Sequence, residues 1–127
     1  MEISLIKKST EMITVAERAD GIYKMLLEAA PINDSKFDNH FNMLISKAVD
    51  YSNYRSRWLG MSPIEQNNIE RYRTCSLDIF VDTKDDLGKY MLDHNMSIAW
   101  HILLGVDRKN IGDLAYYLSY VQGIKAR

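Results

Sequence analysis

The feature that most constrains the fold is a helix-start signature followed by a long stretch without proline, at residues 62–95. Ser62 can cap the helix, Pro63 suits its first position, and Glu65 can reach back to complete a capping box. Apolar or small side chains then recur every three or four residues, which is the period of a helix. They are Ile69, Tyr72, Ser76, Ile79 or Phe80, Thr83, Leu87 and Met91. The pattern predicts one helix of about 30 residues, on the order of 45 Å long.

A helix of this length exceeds the usual globular length, so a break in its middle is the alternative. The β-branched Val81 and Thr83 and the lone Gly88 weaken the helix there. Asp82 can also cap a second helix that begins at Thr83. The sequence therefore leaves both a continuous and a kinked or broken central helix open.

Composition indicates one ordinary globular domain. A chain of 127 residues can bury about two thirds of its unfolded surface, so we predict a single domain spanning residues 1–127. The hydrophobic fraction of 46% and the charged fraction of 26% argue against disorder. The 16 basic and 17 acidic residues leave a formal charge of −1, so no global positive field favours nucleic acid or an acidic membrane as partner.

Cysteine usage and hydropathy predict the compartment. The single Cys75 cannot form an internal disulfide, and no apolar run is long enough for a membrane span. Residues 1–8 begin with an acid and a short apolar patch, unlike a secretory signal. We expect mature sequence, a cytosolic location and no membrane partner.

Two amphipathic helices are predicted before the central one. The first follows a cap at residues 9–11 and is stopped by Pro31. Its stripe is Met12, Val15, Ala19, Ile22, Leu26 and Ala29. The second is capped at residues 33–35 and ends at Gly60, which we expect to adopt a left-handed conformation. Its seam is Phe37, Phe41, Leu44, Ala48, Tyr51, Arg55 and Trp58. The short connection after Gly60 predicts an antiparallel hairpin with the central helix.

Two further helices are predicted after the central one. Asn95 can cap a short helix that Gly105 closes, with Val106 available for an end contact. The short helix contains Ile98, Ala99, Ile102 and Leu103. Asp107 or Asn110 then starts a last helix. Its stripe is Ile111, Leu114, Leu118 and Val121, before Gly123 and a basic tail. The fold class is therefore all-α, an up-and-down helical bundle of four long helices plus one short helix.

Arginines and aromatic residues gather on both sides of Gly60 and form the first candidate site. The candidate partner-binding residues are Arg55, Arg57, Trp58, Arg71, Tyr72 and Arg73. Guanidinium groups among aromatic rings can grip phosphates, stack on bases or anchor a protein interface. They can equally complement a helix C-terminus or cover apolar surface with their stems. Arg55 occupies a seam position where an apolar residue is due, so we expect it to pair with an acid of the central helix or to face a partner.

An acidic edge on the central helix is the second candidate site. Asp78, Asp82 and Asp86 stand one turn apart and can hold a divalent cation, although a solvated face is the simpler interpretation. The three histidines form no recognised metal motif. Cys75 has no neighbouring base in sequence, and we expect it to pack in the core. No cofactor is indicated.

Residues 73–81 resemble a motif of small all-helical bacterial proteins of unknown function, in which Arg is followed four positions on by His-Asp and two aliphatic residues. Arg73 and Asp78 match that motif, whereas Leu77 replaces the histidine. Residues 110–115 are similar to the last helix of those proteins. The resemblance implies a helical fold and a bacterial origin, and no activity.

These observations lead to three functional hypotheses. The first is a non-enzymatic bundle that binds a protein partner, including a second copy of itself as a homo-oligomer. The second is a divalent-metal-dependent nucleotide or phosphate enzyme that uses the acidic edge. The third, less favoured, is nucleic-acid binding through the Arg and aromatic residues around Gly60.

Overall fold

The computed structural model describes residues 9–30, 33–104 and 111–125, and within these ranges the chain forms five helices and no strand. The helices are α1 Ser9–Ala29, α2 Ser35–Leu59, α3 Pro63–Asp93, α4 Ser97–Leu104 and α5 Ile111–Lys125. The prediction of an all-α helical bundle is confirmed.

The central helix α3 is continuous over 31 residues. The predicted capping box is present, because Glu65 N donates to Ser62 Oγ at 3.3 Å and Ser62 N donates to Glu65 Oε1 at 3.2 Å. Thr83 Oγ1 donates to the Ile79 carbonyl at 2.7 Å. That bond satisfies the hydroxyl without opening the helix, so no second helix begins at Thr83.

The chain leaves α3 through a left-handed residue, Asn95, whose φ is 61°. Met96 N donates to the Met91 carbonyl at 2.8 Å, which is the long hydrogen bond of a Schellman ending. Because α4 begins at Ser97, Asn95 ends one helix rather than capping the next, and that prediction is wrong.

Helices α2 and α3 form the predicted antiparallel hairpin. At the turn, Gln66 Nε2 donates to the Trp58 carbonyl at 3.0 Å. At the far end, Asp34 caps α2 by accepting from Phe37 N at 2.9 Å. Gly60 has φ −92° and ψ 4°, so the prediction of a left-handed glycine at this turn is wrong.

The last helix, α5, lies between α1 and α2, and α4 packs against α1 and α3. Residues 114–119 of α5 are all buried, whereas the sequence predicted one apolar stripe. The additional buried polar groups are satisfied across the α2 contact, since Ser119 Oγ lies 3.2 Å from Ser52 Oγ and Tyr116 Oη lies 3.3 Å from Ser56 Oγ. The helix also continues through Gly123 to Lys125.

All five helices contribute to one hydrophobic core. Its members include Ala19, Leu26, Phe41, Leu44, Phe80, Leu87, Ala99, Leu103, Leu114 and Leu118. Several predicted boundaries lie outside the described residues. They are Pro31, Gly105, Val106, Asp107, Asn110, residues 1–8 and the end of the basic tail. In the described part of the chain, each helix is too short or too polar to cross a bilayer.

Candidate functional site on the second and third helices

Between Ile64 and Ile79, α3 carries large apolar side chains that nothing in the described structure covers. Burial in α3 begins only at Ser76, so residues 63–75 have no buried side chain. Ile64 is 75% exposed, Tyr72 60% and Ile79 48%, and Cys75 is exposed between them. At 100° per residue these four side chains lie within about 80° of one another around the helix axis. We call Ile64, Tyr72, Cys75 and Ile79 the α3 stripe.

An open groove of about 470 Å³ runs beside the α3 stripe, between α2 and α3. Its lining mixes two cations, one acid, two tyrosines and small polar groups. The residues are Lys47, Asp50, Asn53, Tyr54, Arg57, Tyr72, Cys75, Ser76 and Ile79. We call this feature the hairpin groove. It contains Arg57 and Tyr72 from the predicted partner-binding set.

Cys75 was expected in the core and is instead exposed in this groove. The helical repeat explains the difference, because Ser76 takes the inward position one residue later. Cys75 therefore presents its thiol on the surface that the Tyr72 ring also occupies.

Trp58 and Arg73 form a packed pair at the hairpin turn. The Arg73 guanidinium lies 4.7 Å from the Trp58 ring centroid and binds Glu70 through two hydrogen bonds, of 2.6 and 3.2 Å. These bonds raise the pKa of Arg73 and lower the pKa of Glu70 because each stabilises the charged form of both partners. Arg73 therefore has much of its donor capacity engaged within the protein.

Arg55 faces α5. Its Nη1 lies 3.8 Å from Asp113 Oδ1, and its guanidinium lies 5.1 Å from the Tyr116 ring centroid. A Cβ at Gly112 would come within 2.6 Å of the Arg55 Cζ atom, so the absent side chain makes room for the guanidinium. The predicted pairing with an acid of the central helix is wrong, since the acid comes from α5.

Arg57 and Arg71 remain at the surface. Arg57 stacks over the Tyr54 ring at 5.0 Å and lines the hairpin groove. Arg71 is exposed beside the α3 stripe and has no ion pair within the described ranges. Of the six predicted residues, Arg57, Arg71 and Tyr72 are thus placed on one surface, with the Trp58 and Arg73 pair at its edge.

The acidic edge is solvated. Asp78, Asp82 and Asp86 are exposed along α3. Among the described residues, no three His, Cys, Asp or Glu side chains form a group that can hold a metal ion. The three carboxylates therefore lie along one helix without the converging ligands that a cation site needs.

A cluster that the sequence did not indicate closes the other end of the hairpin. Tyr90 Oη donates to both carboxylate oxygens of Asp34, at 2.7 and 2.9 Å. His94 stacks on the Tyr90 ring at 4.0 Å, and His40 lies 5.1 Å from it. The Phe37 N–H, followed by the Tyr90 hydroxyl, lowers the pKa of Asp34. No sequence signal joins Asp34 to Tyr90, because they come from different helices, 56 positions apart.

Comparison with protein-family models, curated proteins and solved structures found no match to this chain in any of the three. The resemblance of residues 73–81 to small bacterial helical proteins stays a prediction.

Proposed function

We propose that this chain is a non-enzymatic interaction module that binds a protein partner through the α3 stripe and the hairpin groove. The observation that carries the proposal is the exposure of Ile64, Tyr72 and Ile79 on one face of one helix. A helix face with apolar residues at this spacing buries them against a neighbour in most folded proteins. Tyr72 and Ile79, with the exposed Cys75 between them, lie next to one another on this face, and contiguous exposed apolar surface is typical of interaction sites.

The residue types on this surface support the same proposal. Aromatic residues and arginine are enriched at protein interfaces, whereas lysine, aspartate and glutamate are depleted. The groove offers Tyr54, Tyr72 and Arg57 beside one lysine and one aspartate, Lys47 and Asp50, and Arg57 is held against the Tyr54 ring. A guanidinium fixed in this way loses less side-chain entropy when a partner binds.

Site-specific photo-cross-linking in the native host tests the proposal. Benzoylphenylalanine replaces Tyr72 in one variant and Lys24 in a control, since the Lys24 side chain is 71% exposed on α1. We expect a covalent adduct of discrete mass from position 72 and none from position 24. Equal adducts at both positions, or none at position 72, would remove the proposal.

The two alternatives make different predictions. If Asp78, Asp82 and Asp86 bind a cation, Mg²⁺, Mn²⁺ or a nucleotide raises the melting temperature, because a ligand of the native state stabilises it. If the surface around Arg57 and Arg71 binds nucleic acid, retention on DNA or RNA falls steeply with salt. Neither alternative is favoured, since the acidic residues do not converge and Arg55 and Arg73 are engaged within the protein.

A further inference from the structure

The exposed face of α3 carries Arg71 in its first half and Asp82 and Asp86 in its second half, with the exposed Asp78 between them and Lys89 beyond them. Arg71 lies beside the α3 stripe in the first half of the helix, whereas Asp82 and Asp86 lie in line with it in the second half. The helical period places the three side chains within about 60° of one another around the axis. All three are exposed, and none has an ion pair within the described ranges.

A reversed copy of the same helix pairs Arg71 with Asp82. In a twofold contact, the same patch of each copy faces the other in the opposite direction. When the twofold axis passes between the two α3 helices at the level midway between Arg71 and Asp82, each Arg71 faces Asp82 of the other copy. The midpoint lies next to Ser76, so the exposed Cys75 and Ile79 of both copies lie within one turn of the axis.

We propose that the partner of this surface is a second copy of the chain, docked antiparallel with α3 against α3. The inference rests on the proposed function, because it names the partner of the same surface. The contact extends from Ile64 to the level of Lys89, which is about 38 Å. With the width of one helix, about 11 Å, it covers on the order of 400 Å² per copy, which is the size of a weak, transient interface. The dimer therefore dissociates on dilution.

Charge reversal tests the antiparallel pairing. Arg71→Glu places two acids in contact, and Asp82→Arg places two arginines in contact, so each single variant raises the dimer dissociation constant about 10-fold or more. The double variant restores the pairing and returns the constant to near the wild-type value. Within one chain the two positions are about 16 Å apart along α3, beyond the screening length at physiological salt, so a rescue reports contact between copies.

Light scattering over a range of protein concentrations measures the dimer dissociation constant of each variant. The wild-type mass is expected to approach twice 14.7 kDa at high concentration. Lys24→Glu is the matched control, because Lys24 is exposed on α1 and its reversal leaves the constant unchanged. A monomer at all concentrations, or a double variant no better than the single variants, overturns the proposal.

Cross-linking at Cys75 gives an independent readout. Helix axes 8–10 Å apart place the two Cys75 Cα atoms about 6–8 Å from each other, so a short bismaleimide joins them in wild type. A cysteine moved to position 24 in a Cys75→Ser background gives no such product, and an equal yield from both positions overturns the proposal.

The photo-cross-linking result separates the two proposals. An adduct at position 72 whose mass is not that of two chains, with purified protein that stays monomeric, overturns the second copy and keeps the interaction module. No adduct at position 72 removes both.

Discussion

An alanine at position 88 tests whether α3 and α4 pack closely because Gly88 has no side chain. Gly88 is buried in the second half of α3. A Cβ built on it lies 2.5 Å from Cζ2 and 2.7 Å from Cη2 of Trp100. Carbon atoms in contact are ordinarily about 3.5–4.0 Å apart, so the Trp100 ring must move by about 1 Å. The ring is rigid and packs against the core, which prevents a cheap adjustment.

Two opposing energies, overpacking and helix propensity, set the expected change in the free energy of unfolding. Overpacking a well-packed site costs about 1–3 kcal/mol, whereas replacing glycine by alanine inside a helix gains about 1 kcal/mol. Gly88→Ala is therefore expected to lower the free energy of unfolding by about 1 kcal/mol. Gly21→Ala in α1 isolates the second term, because nothing lies within 4 Å of its Cβ, and it is expected to stabilise by about 0.5–1 kcal/mol. The difference between the two variants measures the clash.

Urea unfolding followed by far-ultraviolet circular dichroism measures both variants at one protein concentration, since self-association also shifts stability. In a Trp100→Leu background the clash disappears, so Gly88→Ala there is expected to stabilise as Gly21→Ala does. The resulting double-mutant cycle gives the coupling between positions 88 and 100. A Gly88→Ala variant of the wild-type chain that is as stable as Gly21→Ala would refute the close contact.

Three further outcomes follow from the caps and buried hydroxyls. Ser62→Ala removes the cap of α3 and should lower the free energy of unfolding by about 1 kcal/mol in urea melts, whereas an unchanged midpoint would contradict the role of the cap. The lowered pKa of Asp34 gives stability that is present above the unfolded value, about 3.9, and is lost as pH falls through the folded value. Tyr90→Phe removes one of the groups that lower this pKa, so less melting temperature should be lost on acidification and the loss should end at a higher pH, and an identical pH profile would contradict the contact. Ser119→Ala should cost about 1–3 kcal/mol because it takes a partner from the buried Ser52 hydroxyl, and the double alanine variant should cost less than the sum of the two single variants.

The sequence predicted the features that depend on local chemistry. The capping box at Ser62, the Asp34 cap and the end of α2 near Gly60 each involve residues within one helical turn, where side-chain spacing determines the hydrogen bonds. The hairpin followed, because a connection of a few residues between two long amphipathic helices favours antiparallel packing. The backbone angle of Gly60 did not follow, since a glycine at a helix end permits a left-handed conformation without requiring it.

Contacts between distant residues were not predictable in the same way. Arg55 was recognised as an unusual seam residue, but periodicity does not show which helix lies opposite it. Its partner Asp113 belongs to α5, whose position between α1 and α2 no local pattern determines. The hydrogen bonds between Asp34 and Tyr90 were not predicted for the same reason. For the candidate site, the sequence indicated that arginine and aromatic residues gather near the turn. Only the fold showed that Arg55 and Arg73 contact other residues of the chain, whereas Arg57, Arg71 and Tyr72 are exposed.

The first part of α3 is less buried than its apolar pattern predicts. Periodicity predicted that α3 buries side chains from Ile69 and Tyr72 onward, yet burial within the chain begins at Ser76. The spacing of apolar residues records which face of a helix avoids water, and it does not distinguish a neighbour in the same chain from one in another chain. Residues 63–75 are tied to the hairpin turn by a capping box, by Gln66 and by the Arg73 stack on Trp58, although none of their side chains is buried. A helix segment that is fixed in place, patterned for burial and left uncovered has the properties expected of a preorganised docking surface.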